Sequence, residues 1–199
     1  MKRGLLVSSI LLAGMLTGCG NSEKSAANSV TKAAATVETT GSPGTIGANG
    51  PSLVSTPEFV AKFAESDMYE IAAANIALGK SQSDAIKAFA RQMITDHGAT
   101  SARLKALAAT IGVADAPPAF DIRHAKMISD LQKAAPEKFD RRYLDQQLEA
   151  HREALGLVDS YSTFGKNAAL KSFAAETKPK IQVHLEMASK LDHGAADRK

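Results

Sequence analysis

From Thr56 onward apolar residues return at every third or fourth position, and no stretch alternates apolar and polar as a strand does. The pattern predicts four long helices. Thr56 can N-cap the first, with Pro57 at the first helical position and Glu58 behind it. That helix reaches about Leu78 and ends at Gly79. Ser83 caps a second, from Asp84 to Ile111, which stops at Gly112. Pro117 and Pro118 mark a loop, and Asp121 to Ala134 forms a short amphipathic helix. Pro136 opens the third long helix, which runs to about Phe164 before Gly165. The fourth runs from about Ala168 to Leu191, with a polar tail over 194–199. Pro179 falls inside it, removes a backbone donor and predicts a bend. Two short connections and one long one give an all-α domain over 56–193. It is an antiparallel four-helix bundle, with the short helix riding between the second and third long helices.

Each long helix carries one apolar stripe, and each stripe is interrupted near its middle by a polar residue. On the second helix it runs Phe89, Met93, His97, Leu104; on the third, Leu144, Leu148, His151, Leu155; on the fourth, Phe173, Thr177, Ile181, His184, Ala188. On the first it runs Phe59, Phe63, Asp67, Glu70, Ala74. Glu70, His97 and His151 lie within about 3 Å of the middle of their helices, and His184 about 6 Å past it, at 1.5 Å per residue. In an antiparallel bundle these four side chains share a level.

Three readings fit that level. One is a buried hydrogen-bonded cluster that specifies register. Another is a metal site of three imidazoles and the Glu70 carboxylate, a donor set suited to a first-row ion such as Zn, Cu or Fe. In the third, the stripes are rotated and the histidines sit at helix boundaries. If the imidazoles converge, mutual repulsion and burial put all three pKa values below the ordinary 6.5, with Glu70 opposing by stabilising one imidazolium. Asp96 reads as solvated, or else as a partner behind the site. His124 and His193 read as surface residues, and Asp140 lies eleven positions before His151, too far along the helix to join its level.

Ahead of the helices the chain changes character. Lys2 and Arg3 precede an apolar run from Leu5 to Leu16, too short to span a bilayer but suited to an export signal over 1–18. Leu16-Thr17-Gly18-Cys19 resembles the bacterial lipobox, and Cys19 is the only cysteine of the chain. The expectation is a lipoprotein anchored to the membrane through Cys19 in the bacterial cell envelope, on the periplasmic face of the outer membrane where the host has one. Between Gly20 and Ser55, 27 of 36 residues are Gly, Ser, Thr, Ala, Pro or Asn, so 19–55 reads as a lipidated Cys followed by a disordered linker. Removing Lys2 and Arg3 lowers the net charge from +3 to +1. That balance, together with export, speaks against a nucleic-acid partner.

Three groups of residues carry a family resemblance. They are Phe89-Ala90-Arg91-Gln92-Met93-Ile94-Thr95-Asp96-His97 with Leu104 and Leu107, Phe139-Asp140 with Tyr143 and His151, and Pro179 with His184-Leu185. With the Glu70 helix they span Thr56 to Leu191, and the chain resembles the exported bacterial proteins of the domain of unknown function 4142. The resemblance implies a ferritin-like bundle and an envelope location, and no established activity. Ferritin di-iron sites use Glu-x-x-His pairs, whereas Ile94, Leu148 and Ile181 stand three residues before the histidines here. Core carboxylates number at most two, which disfavours di-iron chemistry. No catalytic nucleophile constellation or phosphate loop is present. The functional expectation is a non-enzymatic binding or envelope-support module, with a mononuclear metal-binding module as the alternative.

Overall fold

The helices are α1 (Thr56–Lys80), α2 (Asp84–Thr110), α3 (Ile122–Lys133), α4 (Pro136–Phe164) and α5 (Ala168–Ala196). This computed structural model describes residues 54–113 and 119–196, with side chains to 194. The export signal, Cys19, the linker up to Leu53, the loop prolines Pro117 and Pro118, and residues 197–199 lie outside the described residues.

The ends mostly follow local chemistry. Ser55, not Thr56, caps α1: its Oγ accepts the Glu58 N–H at 3.4 Å. The Thr56 hydroxyl instead bonds the Tyr161 hydroxyl at 2.7 Å. α2 stops as expected, with Gly112 in the left-handed region at φ 67° and the Val113 N–H returning to the Ala108 carbonyl. α1 passes through Gly79 to Lys80, whose ammonium donates to the Leu131, Gln132 and Ala134 carbonyls and so caps the C-terminus of α3. α5 continues through both Pro179 and Gly194 to Ala196, so the tail is shorter than expected.

Cross-helix pairs fix the topology. Thr56 at the start of α1 meets Tyr161 near the end of α4, and Lys80 at the end of α1 lies over the Phe139 ring near the start of α4. Asp96 pairs with Lys180, and Arg103 further along α2 pairs with Glu176 earlier in α5. Both pairs of helices are therefore antiparallel, as are α1 with α2 and α4 with α5 across their short turns. This requires the α2–α4 connection to travel the length of the bundle. α3 lies in that connection and runs alongside α1: Asp121 meets Glu65, His124 stacks near Tyr69, and Leu131 reaches Lys80.

Two apolar clusters fill the interior. One holds Phe89, Met93, Phe139, Tyr143 and Leu144; the other holds Phe59, Phe63, Leu104, Val158, Tyr161 and Phe173. Each such buried side chain contributes roughly 1.5–3 kcal/mol. The second cluster is built on rings, with Phe59 stacked on Tyr161 at 3.9 Å and Phe63 edge-on to Phe173 at 5.2 Å. The polar level lies between the two clusters. Among the described residues no helix is long and apolar enough to cross a membrane.

Candidate metal centre

His97 on α2, His151 on α4 and His184 on α5 are all buried, so the boundary reading is excluded. Their ring centroids form a nearly equilateral triangle with sides of 5.6, 5.4 and 5.4 Å. One ring nitrogen from each lies within 4.8 Å of the other two. Bonds of about 2.1 Å to one ion need nitrogens about 3.4 Å apart in a tetrahedral arrangement, so modest ring rotations would close the site.

What each ring does on its outer side determines what it offers inside. His97 Nδ1 lies 2.7 Å from Asp67 Oδ1, His184 Nε2 lies 2.9 Å from Asp96 Oδ2, and His151 Nδ1 lies 2.9 Å from the Gln147 carbonyl. Carboxylates and carbonyls only accept, so in each pair the ring N–H donates. The other nitrogens, His97 Nε2, His151 Nε2 and His184 Nδ1, are buried without a hydrogen-bond partner. In the neutral ring these carry the lone pairs. An outer acceptor that fixes the tautomer and aims the free nitrogen is the usual support for a metal-ligating histidine.

The supports are themselves held. Asp67 also accepts from the Thr100 and Ser101 hydroxyls at 2.8 and 3.0 Å. Asp96 accepts from Lys180 at 2.9 Å and Gln92 at 2.6 Å. Asp96 is therefore tied to the site rather than solvated, because α5 packs against the face of α2 that carries it. Glu70 stands beside His151: its Oε2 accepts from Gln147 Nε2 at 2.6 Å, while its Oε1 lies 3.6 Å from His151 Nδ1 and is buried without a partner.

Burial lowers the His151 pKa to about 3, helped by the nearby His97 charge. It lowers that of His184 too, against the pull of Asp96. His97 departs from the expected depression. Burial opposes its charged form, but the Asp67 hydrogen bond and the Glu70 and Asp67 charges outweigh burial and raise its pKa. Burial pushes Glu70 up to about 7, against the His97 charge and the Gln147 bond. Asp96 is drawn down to about 2: burial alone would raise it, but the Gln92, Lys180 and His184 bonds prevail.

The sequence placed four residues at this level and left Gln147 unread. Gln147 joins Glu70 to His151 from one turn before the histidine, and a polar residue at that spacing on an apolar face is the one signal it offers. His124 is not a surface residue. The crossover presses α3 onto α1 and α4, and His124, Met127 and Leu131 form its inner face. There His124 Nδ1 lies 3.1 Å from Asp121 Oδ1 and 3.3 Å from Glu65 Oε1. His193 is exposed, and the Asp140 Oδ1 atom is buried without a partner away from the three histidines.

Fold and site together define an all-α, ferritin-like bundle with a three-histidine interior cluster. The chain belongs to the family described as Domain of unknown function (DUF4142), which it matches over residues 42–191. Two solved structures are similar. One is described as "CopM in the Cu(II)-bound form", with TM-score 0.60 and 17% identity, covering 69% of this chain and 95% of that one. The other is a DUF305 fragment from Deinococcus radiodurans, with TM-score 0.59 and 15% identity, covering 69% of this chain and 95% of that one. At these identities the likeness concerns the fold. A search of curated proteins found no match.

Proposed function

We propose that this protein binds a single transition-metal ion through His97, His151 and His184, with Glu70 standing behind His151 on the side of its Nδ1 and outside the group of converging nitrogens. One observation carries the reading: three buried imidazole nitrogens converge, each without a partner, while the opposite nitrogen of every ring is held from outside. A purely structural polar cluster would satisfy its members, and unsatisfied buried nitrogens cost free energy that a metal bond returns. Three imidazoles suit Zn, Cu or Fe, and the fold relative described in a Cu(II)-bound form makes copper the first ion to test. The crevice that reaches the site encloses about 10 Å³, too little for an organic substrate. This fits an ion-holding module better than an enzyme.

The lipobox supports anchoring of this module to the envelope membrane at Cys19. Fatty-acid labelling of cells should mark the wild type and not Cys19→Ser; equal labelling would remove the anchor. For the metal, elemental analysis after reconstitution should give one ion per chain in the wild type. Less than a tenth of that is expected in His97→Gln, His151→Gln and His184→Gln. Equal occupancy in all four proteins, or none in the wild type, would return the cluster to a structural role.

A further inference from the structure

We propose that Asp96 is the point where an incoming divalent cation first docks on its way to the three histidines, and that the Lys180 ammonium holds that place in the metal-free protein. This rests on the metal-binding reading above. The seam between α2 and α5 carries a small crevice, with Asp96, His97 and Thr100 on one wall and Thr177, Lys180 and His184 on the other. Two of the three histidines therefore border it.

Three carboxylates serve the site, and they differ in their access to water. The side chains of Asp67 and Glu70 are 1% and 2% exposed, and that of Asp96 is 14% exposed. Of these three, Asp96 alone touches solvent and a histidine at once. Its Oδ2 receives the His184 Nε2 proton, and its Oδ1 receives Lys180 Nζ. An ammonium on the outer oxygen is a cation in the position where a metal ion approaching along the seam would first meet negative charge. Exchange of one cation for another there leaves the carboxylate neutralised throughout.

Both walls are also weak where they need to part. Gly98 follows His97 in the interior of α2, and a Cβ on it would meet nothing within 4 Å, so packing does not require a glycine there. Pro179 precedes Lys180 inside α5 and leaves the Ala175 carbonyl without its helical donor. Gly156 in α4 is equally unencumbered but lines no part of the crevice, which makes it a control.

The test is stopped-flow uptake of cobalt(II) by the full chain, with hydrogen exchange of the metal-free protein. Lys180→Met should speed uptake about tenfold, within the range of electrostatic effects on association, and Lys180→Arg should restore the wild-type rate. Gly98→Ala combined with Pro179→Ala should slow uptake and release together at unchanged stoichiometry, and Gly156→Ala should change neither. Amides over 97–101 and 176–184 should exchange faster than those over 147–155. Normal stoichiometry with an unaltered rate in Lys180→Met would overturn the docking role alone, as would equal slowing by Gly156→Ala or equal exchange in the three segments. A wild-type chain that takes up no cobalt, zinc or copper would overturn the metal-binding reading itself, and the docking role with it.

Discussion

His97 and His151 have ring centroids 5.6 Å apart, yet their proton affinities move in opposite directions. The difference lies in the acceptor behind each ring. Asp67 brings a charge to His97, and the Gln147 carbonyl brings only a dipole to His151. The more electron-rich imidazole is also the better metal ligand, so Asp67→Asn should weaken metal binding about 10- to 100-fold in a competition titration. It should also cost about 3–5 kcal/mol of stability where His97 is charged, measured by denaturant melting. The pH dependence follows from the same shifts. His151 and His184 have depressed values, so their contribution is present above 6.5 and lost as pH falls, for His151 down to about 3. Glu70 is raised, so its contribution is present below 4.5 and lost as pH rises through about 7. His97 has the same sign: its contribution is present below 6.5 and lost as pH rises through its raised value. The opposing trends of Glu70 and the two depressed histidines overlap between pH 4.5 and 6.5. Glu70→Gln should therefore make metal-free stability climb more steeply with pH there. Replacing all three histidines by Gln should remove the acid-side loss. Melting temperature against pH, with chelator present, separates these outcomes.

At the scale of the helices, one turn carries unusual weight. Gly165 ends α4 beside Tyr161, and a Cβ there would fall 2.5 Å from the Tyr161 carbonyl oxygen and 2.6 Å from its ring. That ring stacks on Phe59, and its hydroxyl bonds Thr56. Gly165→Ala should therefore disturb the start of α1 as well as the α4–α5 turn. A loss of about 1–3 kcal/mol is expected, typical of overpacking, and urea unfolding would measure it. The elements themselves were legible in the chain. Capping residues and stripes located the five described helices, and the comparison of mid-helix heights put the three histidines at one level; Glu70, expected among them, lies at His151 Nδ1 and outside their converging group. The ring orientations were not legible, because they are set by partners on other helices: Asp67 of α1 aims His97 of α2, and no periodicity encodes such a pair. His124 was misread for a related reason. Its burial comes from how the crossover lies on the bundle, which the pattern of α3 alone does not fix.

At the scale of the molecule, the composition of residues 20–53, mostly Gly, Ser, Thr, Ala, Pro and Asn, offers a core few apolar side chains. Deleting 1–53 should leave the melting temperature of the helical domain within about 2 °C of the parent, equivalent to less than about 0.5 kcal/mol. Saturating metal at 100 times its dissociation constant should add about 2.7 kcal/mol, reversed by chelator. The crossover has a further consequence. It divides the bundle into two helical hairpins, α1 with α2 and α4 with α5, joined covalently through a single connection. Asp67 and His97 belong to the first hairpin, and His151 and His184 to the second. An ion bound by all three rings is thus a removable cross-link between two halves of the protein. A chain cut between α2 and α3 should yield two fragments that reassociate, and whose affinity for each other is set by the metal concentration.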